Sequence, residues 1–121
     1  MPMTPLARSI YTVLRQQVPA APNTSPAITY GELVRVLPAR FRLTGADDPR
    51  LDAALGEIVD ACRSKGFPAL PAIVVRRDLR VPGAGYYARA HPHAHGDRPT
   101  EMLGWVYEFW AVASQTYPAR L

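Results

Sequence analysis

The chain has one cysteine, Cys62, in 121 residues, so an internal disulfide framework and a thiolate cluster for zinc are both excluded. Nowhere do about 18 apolar residues run together, the minimum for a membrane-crossing helix. The opening "MPMTPLARSIYTVLRQQVP" carries two prolines and an arginine where a signal peptide would place its apolar core, which gives the expectation of a soluble, cytoplasmic protein with no membrane partner. Enzyme motifs are equally scarce. There is no phosphate-binding glycine loop, no HExxH and no nucleophilic serine in a strand-turn-helix elbow, and "PGAGYY" reads as a turn. Glu32, Asp47 and Asp48 are explained as helix-start residues. Neither a catalytic residue nor a cofactor is expected.

Lysine is nearly absent too: thirteen of the fourteen basic side chains are arginine, whose planar fork suits phosphate and carboxylate. The charge is uneven. Residues 63 to 89 hold six basic groups (Arg63, Lys65, Arg76, Arg77, Arg80, Arg89) against Asp78 alone, a balance of +5, and the remaining residues balance to −1, giving the net +4. Such an excess on one segment is an argument about partners, chiefly polyanions, and carries no information on fold. Hydrophobic residues make up 48% and occur in nearly every segment, so the chain is expected to fold as one domain over 1–121.

Thr4-Pro5 followed by Leu6, Ile10, Val13 and Leu14 gives a cap, a proline at the first helical position and an apolar stripe at helical spacing. "PAAPNTSPA" reads as an extended connector. Thr29 and Glu32 stand three apart as a capping box for a short helix stopped by Pro38. Pro49, capped by Asp47 or Asp48, starts a longer helix with Leu51, Leu55, Ile58, Val59 and Cys62 inward, closed at Gly66. The β-branched run Leu70 to Arg77 predicts a strand, "DLRVPGAG" a turn-rich return, and Tyr86-Tyr87 a second strand, together a β-hairpin. A last helix spans about 100–117. Met102, Val106, Phe109, Trp110 and Ala113 lie on one face of it, but Leu103, Trp105, Tyr107 and Val112 make the other side apolar as well. A helix apolar nearly all round is covered on more than one side, which points to a homodimer with Trp105, Phe109 and Trp110 at its interface.

Short helix, longer helix, then hairpin is the order of a winged helix-turn-helix, here an α+β domain with core 28–87 flanked by N- and C-terminal helices. In that arrangement Arg40, Arg42 and Arg50 precede the long helix, Arg63 and Lys65 end it, and Arg76, Arg77 and Arg80 sit on the wing. With Tyr30 they form the expected surface for double-stranded DNA. The alternative is a protein-interaction module, an immunity- or antitoxin-like chain whose arginine face covers an acidic partner. Two features count against groove reading: Pro38 to Pro49 is longer than the usual 3–4-residue turn, and Asp52, Glu57 and Asp60 lie on the outward side of the long helix. His91, His93 and His95 alternate in "AHPHAHGDRP", which in an extended segment places three imidazoles on one face. Their surroundings favour a weakly metal-attracting loop over a built metal site.

The pattern "TYGEL … AALGEIV … LPAIVVRR … PGAGYY" resembles the DNA-binding domain of O6-alkylguanine-DNA alkyltransferases and alkyltransferase-like proteins over about residues 28 to 87. The resemblance implies that Tyr30 contacts the phosphate beside a flipped nucleotide and that Ala53-Ala54-Leu55-Gly56 lies on the groove-entering helix. It also implies no alkyl transfer. After Pro71, Ala72-Ile73-Val74 stands in place of the family's Cys-His-Arg, Cys62 lies on another element, and Ala53 stands in place of the intercalating arginine. Taken whole, with its "EFW … YP" ending, the chain looks more like a small uncharacterised bacterial family sharing this core, from which no function carries over.

Overall fold

A computed structural model describes residues 3–18, 25–94 and 96–121. Helix α1, Pro5–Gln17, starts where the Thr4 hydroxyl accepts the Ala7 amide and turns Ala7, Ile10, Tyr11 and Leu14 inward. Most of the predicted connector, residues 19–24, lies outside the described residues. Strand β1, Ile28–Thr29, runs directly into helix α2, Tyr30–Val36, through the expected capping box: Glu32 donates its amide to the Thr29 hydroxyl at 3.1 Å and its carboxylate accepts the Thr29 amide at 2.9 Å. The satisfied amides fix the strand-to-helix corner. Helix α3, Pro49–Ser64, is capped by Asp48, which accepts the Arg50 amide. It ends at Gly66, whose φ of 77° is the left-handed conformation that glycine adopts without a Cβ clash. Leu51, Ala54, Leu55, Ile58, Val59 and Cys62 form its buried stripe.

The expected hairpin does not form. Leu70–Ile73 is a 3₁₀ turn, and only Val74–Val75 is strand, β2. β2 pairs with β1 in parallel, Ile28 opposite Val74 and Thr29 opposite Val75. Residues 69–75 are buried without alternation, so their apolar character reflects complete enclosure, and β-propensity alone misassigns most of the run. The return segment closes as a tight loop in which Arg76 donates its amide to the Val81 carbonyl at 2.8 Å and Arg80 donates to the Arg76 carbonyl at 3.0 Å, with Arg80 at φ 57°. Tyr86 and Tyr87, expected in a second strand, belong to helix α4, Ala84–Ala90, with both rings buried. Helix α5, Arg98–Ala113, stops short of 117. Beyond it Tyr117 is buried and donates its hydroxyl to the Pro68 carbonyl, while Tyr11 donates to the Pro118 carbonyl and Arg15 to the Tyr117 carbonyl. The last two bonds tie the C-terminal segment to α1, and the first ties it to the segment that follows α3.

The architecture is α+β, predominantly helical, with one core to which α1 to α5 and the buried 3₁₀ turn all contribute. α3 lies at its centre, against α1, α4 and that turn. No described helix is long and apolar enough to cross a membrane.

Candidate basic surface

Arginines on a fold this small are either spent on it or free of it. Arg50 is spent: it pairs with Asp48 at 2.7 Å and donates to the carbonyls of Phe41 and Arg42, pinning the 3₁₀ turn Ala39–Phe41 to the start of α3. The Arg50 guanidinium, helped by the Thr44 and Arg50 amides, holds the Asp48 carboxyl well below the usual carboxylate range. Arg63 is spent on Glu108 and on the Ala90 carbonyl. Arg76 pairs with Asp78 at 2.8 Å, and Arg89 with Asp60 at 2.9 Å. Of the sequence-predicted set, Arg40, Arg42, Lys65, Arg77 and Arg80 have no acidic partner among the described residues, and Arg40 stacks over the Phe41 ring. They do not all line one surface: Arg77 and Arg80 border one groove, whereas Lys65, just past the end of α3, borders another beside Arg8 and Arg120.

What the fold does bring together is a groove of about 720 Å³ in which Arg35, Arg77 and Arg80 stand beside Val75, Trp105 and Phe109. α2 supplies Arg35, the loop after β2 supplies Arg77 and Arg80, and α5 supplies the two rings. The rings meet edge to face at 5.8 Å, and the Trp105 indole N–H donates to the Ala72 carbonyl at 2.8 Å. Among the described residues, Glu32 is the one acidic side chain lining this groove. Its carboxyl is lowered by hydrogen bonds from Thr29, backbone first, so it stays anionic as part of the helix cap. Arg35 belongs to the groove, yet sequence reading passed it over because it lies outside the basic segment 63 to 89. A second depression, about 760 Å³, also borders Arg35 and Arg77 but is lined by Asp47, Asp48, Asp52 and Asp78 as well. Tyr30 faces that one. Its hydroxyl accepts the Gly83 amide at 2.9 Å, and burial pushes its phenol up, so Tyr30 secures the start of α4.

A buried polar cluster escaped the sequence altogether. Glu108, on α5, accepts both Arg63 Nη atoms at 2.9 and 2.8 Å, the Ala69 amide at 3.0 Å and the Tyr86 hydroxyl at 3.1 Å. His91 Nε2 lies 3.0 Å from Tyr86 Oη and 3.3 Å from Glu108 Oε1. Burial lowers the His91 imidazole against the opposing pull of Glu108, keeping a neutral ring in the cluster. His91 is thus a structural residue, while His93 is exposed and His95 lies outside the described residues. No three His, Cys, Asp or Glu among the described residues are placed to hold a metal.

Cys62 is fully buried and desolvation pushes its thiol up to about 11, the opposite of an activated nucleophile. Ala72 and Ile73, aligned by the resemblance with active-site residues, are buried too. The space between Tyr30, Asp52, Gly56 and Gly85 is about 10 Å³, room for about one water and none for an extruded base. Of the three expected interface residues, Trp105 and Phe109 pack partly against the core and only Trp110 is largely exposed. No protein-family model matches the chain, and no curated protein or solved structure matches it significantly.

Proposed function

We propose that the protein is a non-enzymatic nucleic-acid-binding domain that engages duplex phosphates through Arg35, Arg77 and Arg80. In this reading α2 and α3 take the places of the helix pair in a winged helix-turn-helix, and the Arg76–Val81 loop acts as a minimal wing. The observation that carries it is the division of the arginines: Arg50 and Arg63 are bound to the buried carboxylates of Asp48 and Glu108, whereas these three line a common groove with no salt bridge among the described residues, three cations against the single carboxylate of Glu32, which is held by the helix cap and lies within electrostatic reach of Arg35 and Arg80. Free guanidinium groups crowded together repel one another, and a polyanion relieves that repulsion while releasing condensed counterions. Groove reading by α3 is not part of the proposal, because the exposed residues along its middle are Asp52, Ala53 and Asp60, and the exposed arginines at its two ends, Arg50 and Arg63, are ion-paired.

Fluorescence anisotropy of a labelled duplex across a salt series tests it. Replacing Arg35, Arg77 and Arg80 by alanine should weaken binding similarly across sequences and lower the log–log salt slope by about 0.9 per lost contact. Arg63→Ala should leave the slope unchanged. Absence of duplex binding by the unmutated protein at low salt sinks the proposal; recovery of an acidic protein on the same three arginines would then support the interaction-module alternative.

A further inference from the structure

The outward face of α5 bears no charge beyond its first turn. Its exposed residues after Arg98 are Pro99, Thr100, Leu103, Val106, Tyr107, Trp110 and Ala111. Trp110 is 66% exposed, Tyr107 70%, Leu103 56% and Val106 40%. These four recur at i, i+3, i+4 and i+7, the spacing of one helical stripe. The opposite side of the same helix carries Glu101, Glu108 and Val112 into the interior. A water-facing helix ordinarily places its charges outward; here both interior-facing carboxylates are turned in and the aromatic stripe out, the pattern of an interface core depleted of charge.

We propose that this stripe is an isologous dimer interface in which α5 packs antiparallel against the α5 of a second copy. The absence of charge selects a second copy as the occupant. The face carries no formal charge for a partner of opposite sign to complement, and a charge-free surface can meet itself without like-charge repulsion. The area adds a requirement: with aromatic side chains covering about 150–250 Å² each, the four side chains offer about 400 Å² per protomer, half of the roughly 800 Å² a side of a standard interface, so the exposed, uncharged Pro99, Thr100 and Ala111 of the same helix are buried with them in the pair. In the antiparallel pair Leu103 meets the partner's Trp110, and the midpoint between them, at Val106 and Tyr107, lies on the twofold axis. Trp105 points about 150° away from the stripe, so dimerisation leaves the arginine groove open. The sequence-based choice of Trp105 as an interface residue gives way to Leu103 and Tyr107.

Light scattering on the full chain at micromolar concentration should give twice the chain mass. Leu103→Glu with Trp110→Glu should give the chain mass with an unchanged far-ultraviolet spectrum, and the substituted side chains are exposed enough for the fold to survive them. Cys62 being buried, Tyr107→Cys introduces the one accessible thiol, and a short bis-maleimide should cross-link it into dimers, whereas Ala88→Cys on α4 should stay monomeric. A monomeric unmutated protein overturns the proposal, and so does a dimer that persists in the double-glutamate variant or a control that cross-links equally well. Capture of a different protein by a monomeric chain would assign the face to that protein and overturn the second copy.

Discussion

Glu108 is the side chain whose removal the structure prices most clearly. Its carboxylate is 7% exposed and receives four hydrogen bonds: its Oε1 takes Arg63 Nη2 and Tyr86 Oη, and its Oε2 takes Arg63 Nη1 and the Ala69 amide. Glu108→Gln replaces one acceptor by a donor. The amide nitrogen is best accommodated on the Oε1 side, where the Tyr86 oxygen and His91 Nε2 can accept, which keeps Arg63 Nη1 and the Ala69 amide on the remaining oxygen. Arg63 Nη2 keeps the Ala90 carbonyl at 3.1 Å. The loss is then about one hydrogen bond to a charged group, roughly 1.5–3 kcal/mol. Glu108→Ala strands the fully buried Ala69 amide, breaks the pair and leaves a cavity between α5 and α3. Loss of a buried ionic partner costs about 3–5 kcal/mol, with Arg63, whose side chain is 43% exposed, free to rehydrate and hold the cost within that range. Urea unfolding should rank unmutated above Gln above Ala, with Ala lowering the melting temperature by about 10–20 °C at roughly 4 °C per kcal/mol for a chain of this length. An alanine cost under about 1 kcal/mol, or equal costs for the two variants, would refute the assigned bonding.

Two further perturbations test the electrostatics. Asp48 titrates well below its unfolded value because Arg50 and two amides stabilise the carboxylate; its stabilisation is therefore fully present above the unfolded pKa of about 3.9 and is lost as pH falls toward the folded value. Asp48→Asn should flatten the acid limb of a stability–pH curve below about pH 4, and an unchanged limb would count against the Arg50 pairing. Cys62, with its thiol pushed up to about 11, should resist Ellman's reagent at pH 8 in the folded protein and react fully in denaturant. Rapid labelling without denaturant would place the thiol at the surface, contrary to its burial.

The local signals were legible because their physics is local. Thr4-Pro5, the Thr29–Glu32 box, Asp48-Pro49 and Gly66 each satisfy or release backbone groups within a few residues, and each marks a helix boundary where the sequence places one. The basic segment was legible as well, since charge is counted and needs no geometry. What it could not disclose is that Arg50 and Arg63 are consumed by Asp48 and Glu108 while Arg35 joins Arg77 and Arg80 from another helix. That sorting depends on which chains of the fold meet.

Residues 70–75 show the same boundary. Apolar and β-branched, they announce burial, but strand formation needs a partner, and the partner is Ile28–Thr29, 46 residues earlier and parallel; only the two paired residues become strand. α5 shows it most plainly. Its composition alone determined a helix apolar on both sides, and periodicity then had no means of choosing the inner face. The choice fell to Arg63, 45 residues away on α3, together with the Ala69 amide: by bonding the Glu108 carboxylate they draw it into the interior and rotate Leu103, Tyr107 and Trp110 out to water. Sequence by itself decided where backbone amides are capped and how much must be buried; tertiary structure decided which side is buried, because a carboxylate enters a core only where a distant cation and amide are already placed to receive it.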